Sequence, residues 1–159
     1  MDGGNEYSID NFLAKIEEQI KINCIPQNGD VEKALSFDGK TLSSLSLEDY
    51  SYYAYQLELY ALHLQKQSNR MNTIKLWAKE QLNKIVAKEI DQYLDSYLPY
   101  EIKVKKITQN NSAADKYSNM ILKAGGLLSE LDFVSMKISH IAEKITDYRK
   151  TKEKIYAKV

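Results

Sequence analysis

The residues of this chain that could do chemistry are lysines and tyrosines. Lys75, Lys79, Lys84 and Lys88 recur every four or five residues, Lys103, Lys105 and Lys106 follow within a short stretch, and Arg149, Lys150, Lys152, Lys154 and Lys158 crowd the far end. Trp77, Tyr93, Tyr97 and Tyr100 lie among them. Cations that follow a phosphate backbone, interleaved with rings on which unpaired bases can stack, are what sequence-independent binding of single-stranded nucleic acid requires. The candidate contact set is therefore Lys75, Lys79, Lys84, Lys88, Tyr93, Tyr97, Lys103, Lys105, Lys106, Arg149 and Lys150. The same residues also fit a plainer description, a solvated lysine face over an aromatic seam. Spacing alone does not separate the two.

Catalytic chemistry finds no foothold. The sequence holds no phosphate-cradling glycine loop, no HExxH, no GxSxG and no dinucleotide fingerprint. His63 and His140 are isolated, and Asp91 with Asp95 lacks the further oxygen ligands that a hard cation needs. Cys24, the single cysteine, can form no internal disulfide and has no ligand-spaced neighbour. A non-enzyme without metal or cofactor is expected.

The basic residues need a scaffold, and the hydropathy pattern supplies a helical one. From Leu47 to Leu98, apolar residues recur at Tyr50, Ala54, Leu57, Ala61, Leu64, Met71, Ile74, Ala78, Leu82, Ile85 and Leu94. Steps of mostly three or four, with two wider skips, describe a helix with one dry face. Ser46 followed by Asp49 signals its start and Pro99 its end. Ser112 and Asp115 repeat the start signal and open a second long helix, through at least Lys150. Its stripe is Tyr117, Ile121, Ala124, Leu128, Leu131, Ile138, Ala142 and Ile145, with Ser135 in the one weak slot. A repeat near 3.5 residues predicts supercoiled packing, so the expected fold is all-α: a long, coiled-coil-like antiparallel hairpin. Gly125-Gly126 costs the second helix about 1 kcal/mol per glycine relative to alanine, which predicts a kink or a close approach there.

Around this hairpin the signals are weaker. Residues 9–20 predict a short amphipathic helix, with Ser8 as cap and Ile9, Phe12, Leu13, Ile16 and Ile20 on one face. Residues 23–46, with Pro26, Asn28-Gly29 and Asp38-Gly39, read as a loose linker with one helical turn at most. The bend PYEIKVKKITQNNS, residues 99–112, alternates Ile102, Val104 and Ile107 with lysines and reads as extended. The domain expectation is a head and linker over 1–46 and a hairpin over 47–159.

Two helices cannot bury every apolar residue present. Tyr52, Tyr53, Tyr55, Leu59, Tyr60 and Leu62 on the first helix, and Phe133, Val134 and Ile141 on the second, lie off the seam. Helices with more than one apolar stripe meet more than one neighbour, which predicts a homo-oligomer, a ring of side-by-side hairpins being one form.

Charge and composition bound the setting. Net charge is zero, but residues 1–50 hold four Lys/Arg against ten Asp/Glu, and the remainder eighteen against twelve. An acidic head precedes a basic body. No apolar run approaches the roughly 20 residues of a membrane span, and no signal region is seen, so a cytoplasmic protein is expected.

This layout resembles the UvsY-type recombination mediators of T4-like phages. A short acidic head helix, a long Tyr/Leu-rich helix, a basic segment with tyrosines, a bend, and a closing helix opening on Asp115-Lys116 follow in the same order, with residues 47–150 covered. Leu131-Asp132-Phe133 and the run into Tyr148-Arg149-Lys150 are the nearest local matches. The resemblance implies an oligomer that binds single-stranded DNA, displaces single-strand-binding protein and helps load a RecA-like recombinase in recombination, repair and replication. It also implies a DNA contact at Lys88-Glu89-Ile90-Asp91 with Tyr93 and Tyr97, although Ile90 stands where the family pattern has a second basic residue. The alternative from another class is a structural or scaffold coiled-coil oligomer that does not touch nucleic acid.

Overall fold

The computed structural model describes residues 10, 11, 14, 18, 28–93 and 97–158. Among them every regular element is helical: α1 (Gly29–Leu35), α2 (Gly39–Ser44), α3 (Leu47–Glu89), a 3-10 turn (Ile90–Tyr93), α4 (Tyr100–Asn110) and α5 (Ser112–Tyr156). The N-terminal stretch is helical where described, at Asp10, Asn11, Ala14 and Glu18. The apolar face expected there (Ile9, Phe12, Leu13, Ile16 and Ile20) lies outside the described residues, as does Cys24. The fold is an all-α helical hairpin built on α3 and α5. The chain divides into two compact units, Met1–Asn23 with Asn69–Leu128, and Cys24–Ser68 with Ser129–Val159.

In the unit of Cys24–Ser68 and Ser129–Val159, the expected stripes meet. Tyr50, Ala54, Leu57, Ala61 and Leu64 of α3 are buried, as are Leu131, Ser135, Ile138, Ala142 and Ile145 of α5. The two helices of the seam run in opposite directions: Lys152 lies over the Tyr50 ring, whereas Ser68 bonds Asp132. The first wide skip in the α3 pattern, between Leu64 and Met71, is filled by Ser68, which is 1% exposed and donates its hydroxyl to Asp132 Oδ1. Ser135 donates to the Ala61 carbonyl at 3.0 Å. Both hydroxyls are thus satisfied, so neither carries the cost of a buried, unpaired polar group.

The segment expected to be a loose linker is two capped helices. Asn28 accepts from the Asp30 amide and Asp38 from the Thr41 amide at 2.8 Å, so each Asx-Gly pair is an N-cap followed by the first helical residue instead of a turn. Val31 and Ala34 are buried, the Phe37 ring meets Tyr53 edge-on at 4.9 Å, and the Tyr52 hydroxyl donates to Asp30 at 2.6 Å. The Tyr50 hydroxyl donates to the Leu42 carbonyl, and burial pushes that phenol's pKa up. Lys152 Nζ donates to the carbonyls of Ser43 and Leu45 and so closes the end of α2. The start of α3 follows expectation: Ser46 Oγ accepts from the Asp49 amide at 3.0 Å and donates to Asp49 Oδ2 at 2.7 Å.

In the unit of Met1–Asn23 and Asn69–Leu128, Ala78, Tyr117 and Met120 form a core onto which Ile74, Trp77, Leu82 and Ile121 pack. The first long helix stops earlier than Pro99: it ends at Glu89 and tightens into the 3-10 turn. Two asparagines hold that end, Asn111 donating to Glu89 Oε1 at 2.5 Å and Asn110 to the Tyr93 hydroxyl at 3.3 Å. Pro99, expected only as a stop, heads α4, its carbonyl accepting from the amides of Ile102 and Lys103. The bend expected to be extended is therefore helical. Its Val104 and Ile107 are spaced for one helix face, and Ile107 is fully buried. The cap of α5 is Asn111, one residue before the expected Ser112, with its side chain accepting from the Ala114 amide at 3.0 Å.

Gly125-Gly126 does not break α5, and what lies nearest to Gly125 is a lysine side chain. The helix runs unbroken from Ser112 to Tyr156; a Cβ at Gly125 would meet the Lys75 side chain at 3.7 Å, and one at Gly126 would meet nothing within 4 Å. Gly126→Ala should therefore stabilise the protein by about 0.5–1 kcal/mol, seen as a rise of roughly 1–4 °C in the thermal midpoint. A fall would show that the open side of Gly126 is needed by something else.

The caps also set an acid limb. Hydrogen bonds from the Ser46 hydroxyl and amide hold the Asp49 carboxyl below the usual aspartate range, and those from the Thr41 amide and hydroxyl do the same for Asp38. A carboxyl lowered in the folded state contributes stability above its unfolded value and loses it as pH falls through the folded one. The melting temperature of Asp38→Asn/Asp49→Asn should accordingly fall less steeply than wild type on acidification across that window, followed by circular dichroism.

Candidate nucleic-acid interface

The expected contact residues do not form one surface. Within the unit of Asn69–Leu128, Lys75 falls in the seam register, following Met71 by four and preceding Ala78 by three; it is half-buried with its side chain beside Gly125. Lys79, Lys84 and Lys88 are exposed, but only Lys84 and Lys88, four residues apart, share a face. Lys84 is already paired with Glu80 at 2.7 Å. On α4, Lys105 and Lys106 are exposed, while Lys103 is half-buried on the side that Ile107 turns inward. Lys79, Lys88, Lys105 and Lys106 have no ion-pair partner among the described residues.

The aromatic residues divide in the same way. Trp77 is half-buried against the core, edge-on to Tyr117 at 5.6 Å, and burial raises the Tyr117 phenol's pKa against the opposing pull of Lys84. Tyr93 is half-buried and bonded to Asn110. Tyr97 is fully exposed and Tyr100, at the start of α4, is 65% exposed. The four-residue fragment expected to touch DNA spans the end of α3 and the 3-10 turn, where Glu89 is engaged by Asn111. The most exposed rings and cations of this stretch are Tyr97, Tyr100, Lys105 and Lys106, which follow one another in sequence without sharing one helix face, and of these Tyr100 stands outside the expected contact set.

In the other unit, Arg149 is paired with Glu153 at 2.9 Å and Lys150 with Asp147 at 3.3 Å. Such exposed pairs between neighbouring helix turns are worth little and exchange readily for a phosphate. That unit also holds an apolar cleft of about 240 Å³, lined mainly by Val31, Leu35, Phe133, Val134, Ile138 and Ile141. The cleft can take a small apolar group, with Glu32 and Lys137 also among its lining residues.

Among the described residues, no three His, Cys, Asp or Glu side chains are placed to hold a metal ion. His63 is exposed, and His140 lies 3.6 Å from Glu143 on the surface of α5. No described helix is long and apolar enough to cross a membrane. Comparison with family models, curated proteins and solved structures gives no match to this chain.

The position of Lys75 separates scaffold from surface. A lysine in an apolar seam costs stability, so Lys75→Met should raise the unfolding free energy by about 1 kcal/mol, the scale of one additional buried methylene. Chemical denaturation checks this, and destabilisation would show that the ammonium group has a structural partner.

Proposed function

We propose that this protein is a non-catalytic, self-associating binder of single-stranded DNA that acts in the cytoplasm as a recombination mediator. It loosens the hold of a single-strand-binding protein and helps to load a RecA-like recombinase. The observation that supports this reading is the succession of exposed rings, Tyr97 and Tyr100, and of the exposed Lys105 and Lys106, without ion-pair partners among the described residues, along one short stretch that runs into α4. The rings offer stacking platforms and the ammonium groups offer phosphate contacts, a combination that reads no base identity. One copy makes few contacts; several copies joined together gain avidity from many weak ones, and can compete for a strand already covered by another protein.

A structural or scaffold protein is the second reading, favoured by the apolar residues that remain exposed on α3. Fluorescence anisotropy of labelled oligo-dT at low and high salt discriminates the two. Salt-sensitive binding in the micromolar range is expected, and Lys88→Glu/Lys105→Glu/Lys106→Glu should reduce the salt slope by about one for each phosphate no longer neutralised. Absence of salt-sensitive binding by the wild-type protein leaves the scaffold reading alone.

A further inference from the structure

The outward side of α3 carries a second regular stripe. Glu48, Tyr52, Tyr55, Leu59, Leu62 and Lys66 follow one another at steps of four, three, four, three and four, on the side of the helix opposite Tyr50, Ala54, Leu57, Ala61 and Leu64. The four apolar members are 46%, 57%, 44% and 52% exposed, in that order. Glu48 and Lys66 are exposed too, and neither has an ion-pair partner among the described residues. Tyr52 leans to one side, where its hydroxyl meets Asp30. The spacing is that of a coiled-coil seam, yet no described part of the chain covers it.

The order of residues along the stripe says what fits it. An acid stands at one end, a base at the other, and apolar residues lie between. Laid antiparallel on its own copy about the level of Leu57, the stripe sets Glu48 against Lys66, Tyr52 against Leu62 and Tyr55 against Leu59, and two-fold symmetry repeats every pair. A parallel arrangement would instead set Glu48 on Glu48 and Lys66 on Lys66. The surface is complementary to itself in one orientation and repulsive in the other.

We infer that this face is where a second copy of the chain docks, antiparallel and in that register. The inference rests on the self-association in the proposed function and is independent of DNA binding. Because a two-fold contact uses the same patch on both copies, it closes a pair; any larger ring is built from such pairs through other surfaces.

Sedimentation equilibrium of the full chain tests this with reciprocal charge changes. Wild type is expected to associate. Glu48→Lys and Lys66→Glu should each raise the dissociation constant about tenfold, since each puts like charges together at two symmetric places. Combining the two restores the opposition and should return the constant towards wild type. Leu59→Asp, at an exposed position, should abolish association while leaving the helical circular dichroism unchanged. Single reversals without effect on an associating wild type overturn this docking face and leave self-association standing; a wild type that stays monomeric overturns both. Oligo-dT binding is measured separately, so loss of the docking face and loss of DNA contact are told apart.

Discussion

The structure depends on the burial of one narrow stripe on each long helix. Neither α3 nor α5 could persist as a solitary helix with Leu57, Leu64, Met71 or Ile138 and Ile145 in water, because long helices in proteins are held by packing of an amphipathic face more than by propensity. The spacing of three and four keeps that face in line over many turns. Everything else, the caps, the short helices and the surface lysines, is arranged on the sides that this pairing leaves available.

Within the seam, polar and small residues mark fixed positions. Leucines alone would let two helices slide by a heptad with little penalty, whereas Ser135 on the Ala61 carbonyl and Ser68 on Asp132 are satisfied in one alignment only. The small residues Ala78, Ala114, Ala124 and Ala142, all buried, stand in the same stripes as Tyr117 and Met71. Large and small residues sharing a stripe are what lets side chains interlock.

The long helices are legible in the sequence because their periodicity is sustained, and Ser46 with Asp49 is legible because a capping box is a local device. What stays concealed is context. Asn28-Gly29 and Asp38-Gly39 are the same dipeptides in a turn and at a helix start; the distinction lies in Val31 and Ala34, which have a surface to bury against. Ile102, Val104 and their lysines alternate like a strand over five residues, and only the burial of Ile107 reveals the helical phase. Ser68 escapes notice in the seam because a hydroxyl does not announce an apolar position, and Lys75 passes for a surface residue because an ammonium group hides its register. For the basic residues, identity is written in the sequence but direction is not: Lys103 and Lys105, two apart on a helix, cannot share a face.

Lys152, late in α5, fastens the junction between α2 and α3. By donating to the carbonyls of Ser43 and Leu45 and lying over Tyr50, it finishes a helix made more than a hundred residues earlier. A nascent polypeptide leaving the ribosome would have α2 and the first turns of α3 exposed long before their fastening emerged. Contacts so far apart are entropically late to close. During that interval the early tyrosines, Tyr50 and Tyr53 among them, would be available to chaperones or to neighbouring chains on the same messenger.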